Sequence, residues 1–249
     1  MSSTLLITSR LLAFTIFLQG IEYFLISRKK VFQKVWSFEN LKNELKSRFL
    51  FSDLSFKVTT LIQIACALLG FIFPHVGFFV VIFITSLLIT IRFRGSFNGG
   101  SDMMSFVVLT GVLISLLAKT PEVEKFGLIY IGIHGMYSYF KAGIAKIRQK
   151  DWREGKAVQG FTNVSLYPEI RNLKMSSKMS LVLGWLTILF ELGIVSVLIF
   201  PKVIGLYFVL AIIFHLMVFA SFGLNRFFWI WMCAWPSIFF TVTQIGRTT

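Results

Sequence analysis

Eight stretches of this chain stay apolar over the length of a bilayer crossing or close to it: residues 4–26, 58–73, 76–91, 103–117, 126–145, 179–200, 203–224 and 227–241. A spanning helix needs about 20 such residues, with about 17–25 tolerated. Inside hydrocarbon only a segment whose backbone hydrogen bonds are all internal survives, which means helices or a closed barrel. The second, third, fourth and eighth stretches are short for the task. Pro and Gly at 74–77 predict a tight turn between the second and third, and Pro236 predicts a broken or re-entrant eighth segment. The first stretch has no basic leader, and Arg10 interrupts it, so it is read as a retained span rather than a cleaved signal.

Composition agrees with the runs. The chain is 56% apolar and 14% charged, against about 25% charged in an ordinary soluble domain. The fold class that follows is an all-α integral membrane protein, a bundle of about eight transmembrane helices with amphipathic interfacial loops. It is one transmembrane domain over residues 1–249, with no soluble C-terminal domain. The formal net charge is +14. Such basicity fits either nucleic acid or the cytoplasmic loops of a membrane protein; the apolar runs choose the bilayer as partner and exclude nucleic acid.

Two connections are long, residues 27–57 and 146–178, and both mix lysine and arginine with aromatics such as Trp36, Phe38, Trp152 and Phe161. That mixture suits either short helices lying in the interface or solvated charged loops. With eight spans and an outside N-terminus, the cytoplasmic side collects 20 basic residues and the outside 4, so the positive-inside rule sets the orientation. Cys66 and Cys233 are isolated, and no metal-ligand spacing occurs.

Ionisable side chains at membrane depth are costly and normally face a partner in the bundle. Here they are Arg10, Glu22, His134, Lys141, Glu191 and His215, with Gln63 as a buried amide. Arg10 and Glu22 stand about 18 Å apart along a helix and cannot pair directly. Glu191 is the deepest acid and a candidate to neutralise Arg10 or Lys141. His134 and Lys141 share a face. His215 is either a hydrogen-bonded interior histidine or a proton carrier. His75 falls in a turn and is expected at the surface. No nucleophile elbow, zinc-protease, phosphate-loop or dinucleotide signature is present.

One stretch carries a pattern of its own: Tyr139-Phe140-Lys141-Ala142-Gly143-Ile144-Ala145-Lys146-Ile147, then Asp151-Trp152-Arg153-Glu154-Gly155. Gly143 admits another backbone at close range. Lys146 lies where the fifth span meets the interface, with Trp152 and Tyr139 as interfacial anchors. An amine kept partly out of water gives up its proton more readily, as a general base near neutral pH must. The plainer alternative is a lysine snorkelling at a helix C-terminal end and complementing its dipole.

The same stretch resembles the "YF-x-AG-x-x-K-[IL] … DW-x-x-G" pattern of the HTTM family, the membrane domain shared by vitamin K-dependent γ-glutamyl carboxylases and many bacterial proteins. Asn98-Gly99-Gly100-Ser101-Asp102 is similar to the family's "N-G-G-D-D" loop, and Phe214-His215-Leu216 to a late "H-[LC]". Glu191 lies where the family often has an acid. The resemblance implies a multi-pass cell-membrane protein, of the bacterial inner membrane, with an apolar pocket for a quinol or another lipid-like molecule. It implies Lys146, His215 and Glu191 as catalytic residues and Asn98, Gly99, Gly100, Asp102 and Trp152 as substrate-binding ones. A reduced quinone, such as vitamin K hydroquinone or menaquinol, is the implied cofactor, and a carboxylase-like lyase reaction the implied activity. The alternative within the family is a non-catalytic or maturation partner of a secreted bacterial peptide, such as a toxin precursor. A transporter is disfavoured, since no inverted repeat or matched pair of broken spans occurs. Two departures from the carboxylases stand out: no histidine accompanies Asn98, and the charge count places the Lys146 loop on the cytoplasmic side rather than the lumenal one.

Overall fold

The computed structural model describes residues 1–29, 52–95, 99–165, 167–172 and 175–246. Among them every regular element is a helix. In chain order they are α1 Ser3–Ser27, α2 Asp53–Ile72, α3 Val76–Arg92, α4 Gly99–Leu116, α5 Pro121–Arg148, the short α6 Lys150–Arg153, α7 Lys156–Asn163 and α8 Pro168–Arg171, then α9 Ser177–Gly193, α10 Ile204–Phe222 and α11 Asn225–Ile245. A 3₁₀ turn at Ile194–Leu198 extends α9, and another at Pro201–Val203 leads into α10.

Each of the eight apolar stretches is therefore helical, but six of the helices are long and apolar enough to cross a membrane. Among the described residues the count of eight is not reached, for two physical reasons. α3 has 17 residues, the lower limit of what a span tolerates. α5 has 28 residues, but three tyrosines, His134, Ser138 and Lys141 interrupt its apolar stretch and lower its hydropathy. Pro236 does not break the last segment: α11 runs through it. A proline is tolerated in a spanning helix where packed neighbours shelter the freed carbonyl, and here Trp235 and Ser237 beside it are both buried. The turn expected after α2 is present, and His75 in it is exposed, its Nδ1 accepting the Gly77 N–H at 3.2 Å.

The helices begin where the local chemistry favours it. Ser2, Ser52 and Ser176 cap α1, α2 and α9 by accepting a backbone N–H in the first turn, satisfying a donor that a helix start leaves orphaned. The chain forms two compact units, Met1–Leu128 and Ile129–Thr249. In the first, α1 packs along α2, α3 against α2, and α4 against α1 and α3. Tyr23, Phe56, Ile89 and Phe93 form a buried cluster in it. In the second, α10 packs on α11, and α6 and α7 lie on α9. The connection at 27–57, open between interfacial helices and a solvated charged loop, lies largely outside the described residues. Its counterpart at 146–178 folds into α6, α7 and α8, none of which buries a residue. Phe161, Val164 and Tyr167 stay exposed there, as residues at a lipid interface do.

The basic residue at the end of α3 is not a loop charge. Arg92 is buried, and its Nη2 lies 2.6 Å from Asp53 Oδ1 at the start of α2. Asp53 is half exposed while Arg92 is buried, so removing the carboxylate leaves a buried guanidinium short of one hydrogen bond, at a cost of about 1–3 kcal/mol. Asp53→Asn is expected to lower the thermal unfolding midpoint of the detergent-purified protein clearly, and Asp53→Glu to keep most of it.

Candidate functional site

The site grows from one glycine. A Cβ on Gly143 would lie 2.9 Å from the backbone nitrogen of Leu192, so α5 and α9 touch backbone to backbone, as small residues allow in membranes. That contact carries the neighbouring Glu191 to Lys146, one turn beyond Gly143. The Lys146 Nζ donates to both carboxylate oxygens, at 2.6 and 2.7 Å. The lysine side chain is 17% exposed and the glutamate 4%. The Trp152 ring stands 5.1 Å from the same ammonium, inside cation–π range, and packs on Phe161 at 5.7 Å.

Trp152 is held there by the fold of its loop. Gly155 has φ +77°, and a Cβ on it would lie 2.6 Å from the Leu181 nitrogen. Only glycine suits both the left-handed backbone and the contact. The Trp185 indole N–H donates to the Arg153 carbonyl at 3.2 Å, tying α6 to α9 a second time. Outside the spans, Glu154 accepts from Lys156 at 2.6 Å and lies 3.5 Å from Lys150. The hydrogen bond from Lys156 holds the Glu154 carboxyl below its usual range, and the same bond holds the Lys156 ammonium above its own.

Tyr139 stands two helical turns before Lys146, on the same face of α5. Expected as an interfacial anchor, it is instead buried, because its hydroxyl has a polar partner in the bundle: His215 Nε2 at 2.7 Å. Aromatic rings enclose this pair. Trp231 lies 4.6 Å from Tyr139 and stacks on His215 at 5.4 Å, Phe190 meets Tyr139 edge-on at 5.4 Å, and Phe214 and Phe227 each stand 5.1 Å from His215. The Glu191 carboxylate is near enough to act on Tyr139 electrostatically. His215 Nδ1 and Trp231 Nε1 are buried without a hydrogen-bond partner. Buried polar atoms are rarely left so.

Lys146, Glu191 and Trp152 thus come together, while His215 pairs with Tyr139 two turns earlier along α5. Asn98 lies outside the described residues. Gly99 and Gly100 open α4, and Asp102 is buried one turn on, where its Oδ1 accepts from Gln19 Nε2 at 3.0 Å; these three belong to the first unit. The partner of Glu191 is Lys146 rather than Lys141, which is exposed, and Arg10, also exposed, belongs to the first unit. His134 Nδ1 lies 3.0 Å from the Tyr130 carbonyl of its own helix, an ordinary intrahelical contact. Tyr139 and Trp231 were not foreseen as site residues. The seven-residue spacing from Tyr139 to Lys146 was the available signal for the first, and none marked the second.

A family profile described as "HTTM domain" matches residues 113–243, which is 131 of the 249 residues. The matched span contains Lys146, Trp152, Glu191 and His215 and leaves out the 98–102 loop. Comparison with curated proteins and with solved structures gives no match.

Gly143→Ala overfills a backbone contact, which typically costs about 1–3 kcal/mol. Gly155→Ala adds a left-handed strain of about 1–2 kcal/mol to its own clash. Both variants are expected to unfold at lower temperature in detergent than the parent protein, whereas Gly160→Ala, with open space around its Cβ, is expected to unfold with it.

Proposed function

The chain belongs to the HTTM family, and from that premise we propose that its second unit is the site of a quinol- or lipid-dependent membrane enzyme in which Lys146 is the general base. The observation that carries this reading is the Lys146–Glu191 pair, bonded through both carboxylate oxygens and set in a low-dielectric bundle beside an aromatic enclosure. The residues fit a flat, ring-bearing molecule: stacked aromatic faces would hold the ring, and the unpartnered His215 Nδ1 and Trp231 Nε1 would meet its oxygen atoms. A reduced quinone bound there would supply an acidic ring hydroxyl and two reducing electrons.

The chain's own contribution is proton transfer by a pair rather than by a bare amine. Lys146 would hold a ligand hydroxyl and, by passing one of its protons to Glu191, could accept one in return, so that the lysine would stay an ammonium and Glu191 would become a neutral carboxylic acid. Charge is conserved across the pair and the ligand, so no net charge has to enter hydrocarbon. Trp152 keeps the ammonium in place through its ring face. Tyr139 orients His215 by their mutual hydrogen bond and leaves His215 Nδ1 to the ligand. The reading places the protein as a multi-pass protein of the bacterial inner membrane, supported by the basic bias of its long connections.

The test is ligand binding by the detergent-purified full chain. Mass spectrometry is expected to find a co-purifying quinone, and a soluble menaquinone analogue to quench tryptophan fluorescence saturably. Lys146→Ala and His215→Ala are each expected to weaken that binding about tenfold, the loss of one good hydrogen bond to a charged or buried group. Absence of quinone together with absence of quenching would overturn the reading. A small secreted peptide co-purifying instead would favour a maturation partner.

A further inference from the structure

One face of α5 presents polar side chains that the second unit leaves unanswered. The opposite face is packed. The missing Cβ atoms of Gly132 and Gly135 admit Thr241 and Ile238 of α11, Tyr139 meets Trp231, and Gly143 meets Leu192 of α9. The two α11 contacts run antiparallel, so three residues forward on α5 go with three back on α11. Six residues beyond Gly135, Lys141 therefore stands level with Met232, about 10 Å inside the start of α11 at Asn225. α11 is long and apolar enough to cross a membrane, so this part of α5 lies at membrane depth.

On the outward face Ile133, Tyr137 and Lys141 recur every four residues and are exposed, Tyr137 by 56%, with His134 half-buried beside them. His134 Nδ1 donates to the Tyr130 carbonyl at 3.0 Å, which leaves Nε2 as an acceptor. Among the described residues neither that nitrogen, the Tyr137 hydroxyl nor the Lys141 ammonium has a hydrogen-bond or ion-pair partner. Acyl chains offer such groups nothing, and an ammonium at this depth normally faces an acid. Geometry hinders escape to the headgroups. Side chains lean toward the N-terminus of their helix, whereas the membrane surface nearer to Lys141 lies toward the C-terminus of α5. A second copy does not supply the acid either. Two copies inserted the same way, about an axis along the membrane normal, set Lys141 against Lys141 at equal depth, and like charges so placed repel. The group that answers this face is a carboxylate on a different chain.

We propose that the outward face of α5 docks a transmembrane helix of another protein, one that carries a carboxylate at the depth of Lys141 and hydroxyl-bearing side chains one and two turns deeper, for Tyr137 and His134. The surface lies opposite the face that holds Tyr139 and Gly143, so it stands or falls apart from the proposed enzyme. The experiment is resonance energy transfer in phosphatidylcholine vesicles between the labelled full chain and three synthetic single-span peptides of leucine and alanine. The peptides differ at one position, two turns inside one end, which is Glu, Gln or Leu. The Glu peptide is expected to associate about tenfold more tightly than the Leu peptide, with Gln between them. Lys141→Leu is expected to erase the Glu preference without lowering the thermal unfolding midpoint in detergent, because Lys141 makes no polar contact within the described chain. Lys141→Gln provides the same reading should Lys141→Leu fail to fold. Lys178→Leu, which removes an exposed lysine elsewhere, is expected to keep the preference. Equal association of the three peptides with the parent protein would mean that Lys141 faces lipid alone and would overturn the proposal. A Glu preference that survives in both Lys141→Leu and Lys141→Gln would overturn it too.

Discussion

Hydrocarbon offers no water to a polar side chain, so a polar group placed in a spanning helix must find its partner within the bundle. Among the described residues, pairs that bridge helices include Lys146 with Glu191, Tyr139 with His215, Gln19 with Asp102, and Gln63 with Ser86. Each joins two helices far apart in sequence or across a turn. Individually such bonds are worth only about 0.6–2 kcal/mol in membranes, too little to hold a bundle. Their effect is on register: a helix that slides by one turn strands a donor on each side. Close packing supplies the adhesion, and the Gly143 contact with Leu192 is the point where packing and polar pairing coincide.

That coincidence explains why Lys146 behaves as half of a pair. A lone amine at the rim of a span would snorkel to the headgroups. Glu191 holds this one back, and Trp152 covers it from the loop side. The loop is itself rigid where it matters, because Gly155 sits against α9 and Trp185 bonds the Arg153 carbonyl. The chemistry open to such a centre is the exchange of a proton within a neutral pair. In the proposed reading, the aromatic enclosure around Tyr139 and His215 is the surface that would take a flat partner.

Much of this was legible in the residues. The apolar stretches became helices with ends close to those expected, since span length and serine caps are local signals. Membership of the HTTM family followed from the stretch between Tyr139 and Gly155. The partners of the polar residues were harder to read, because spacing along one helix says nothing about which face of another helix meets it. Glu191 looked equally suited to Arg10 or Lys141, and only the Gly143 contact decides for Lys146. The Arg92–Asp53 pair is hidden from the sequence for the same reason, since its partners stand 39 positions apart. Tyr139 read as an anchor because tyrosines near span ends usually are, whereas His215 draws it inward. Asp102 joined the sequence-based site through a loop pattern, yet it accepts a hydrogen bond from Gln19 in the first unit.

The account rests on Glu191 becoming a neutral acid when Lys146 accepts a proton. Infrared difference spectroscopy of the purified protein, recorded before and after addition of a reduced menaquinone analogue, reads this directly. The account predicts a new protonated-carboxyl band on addition, absent in Glu191→Gln and in Lys146→Ala. An unchanged carboxyl region in the parent protein, or the same band in Glu191→Gln, would contradict it.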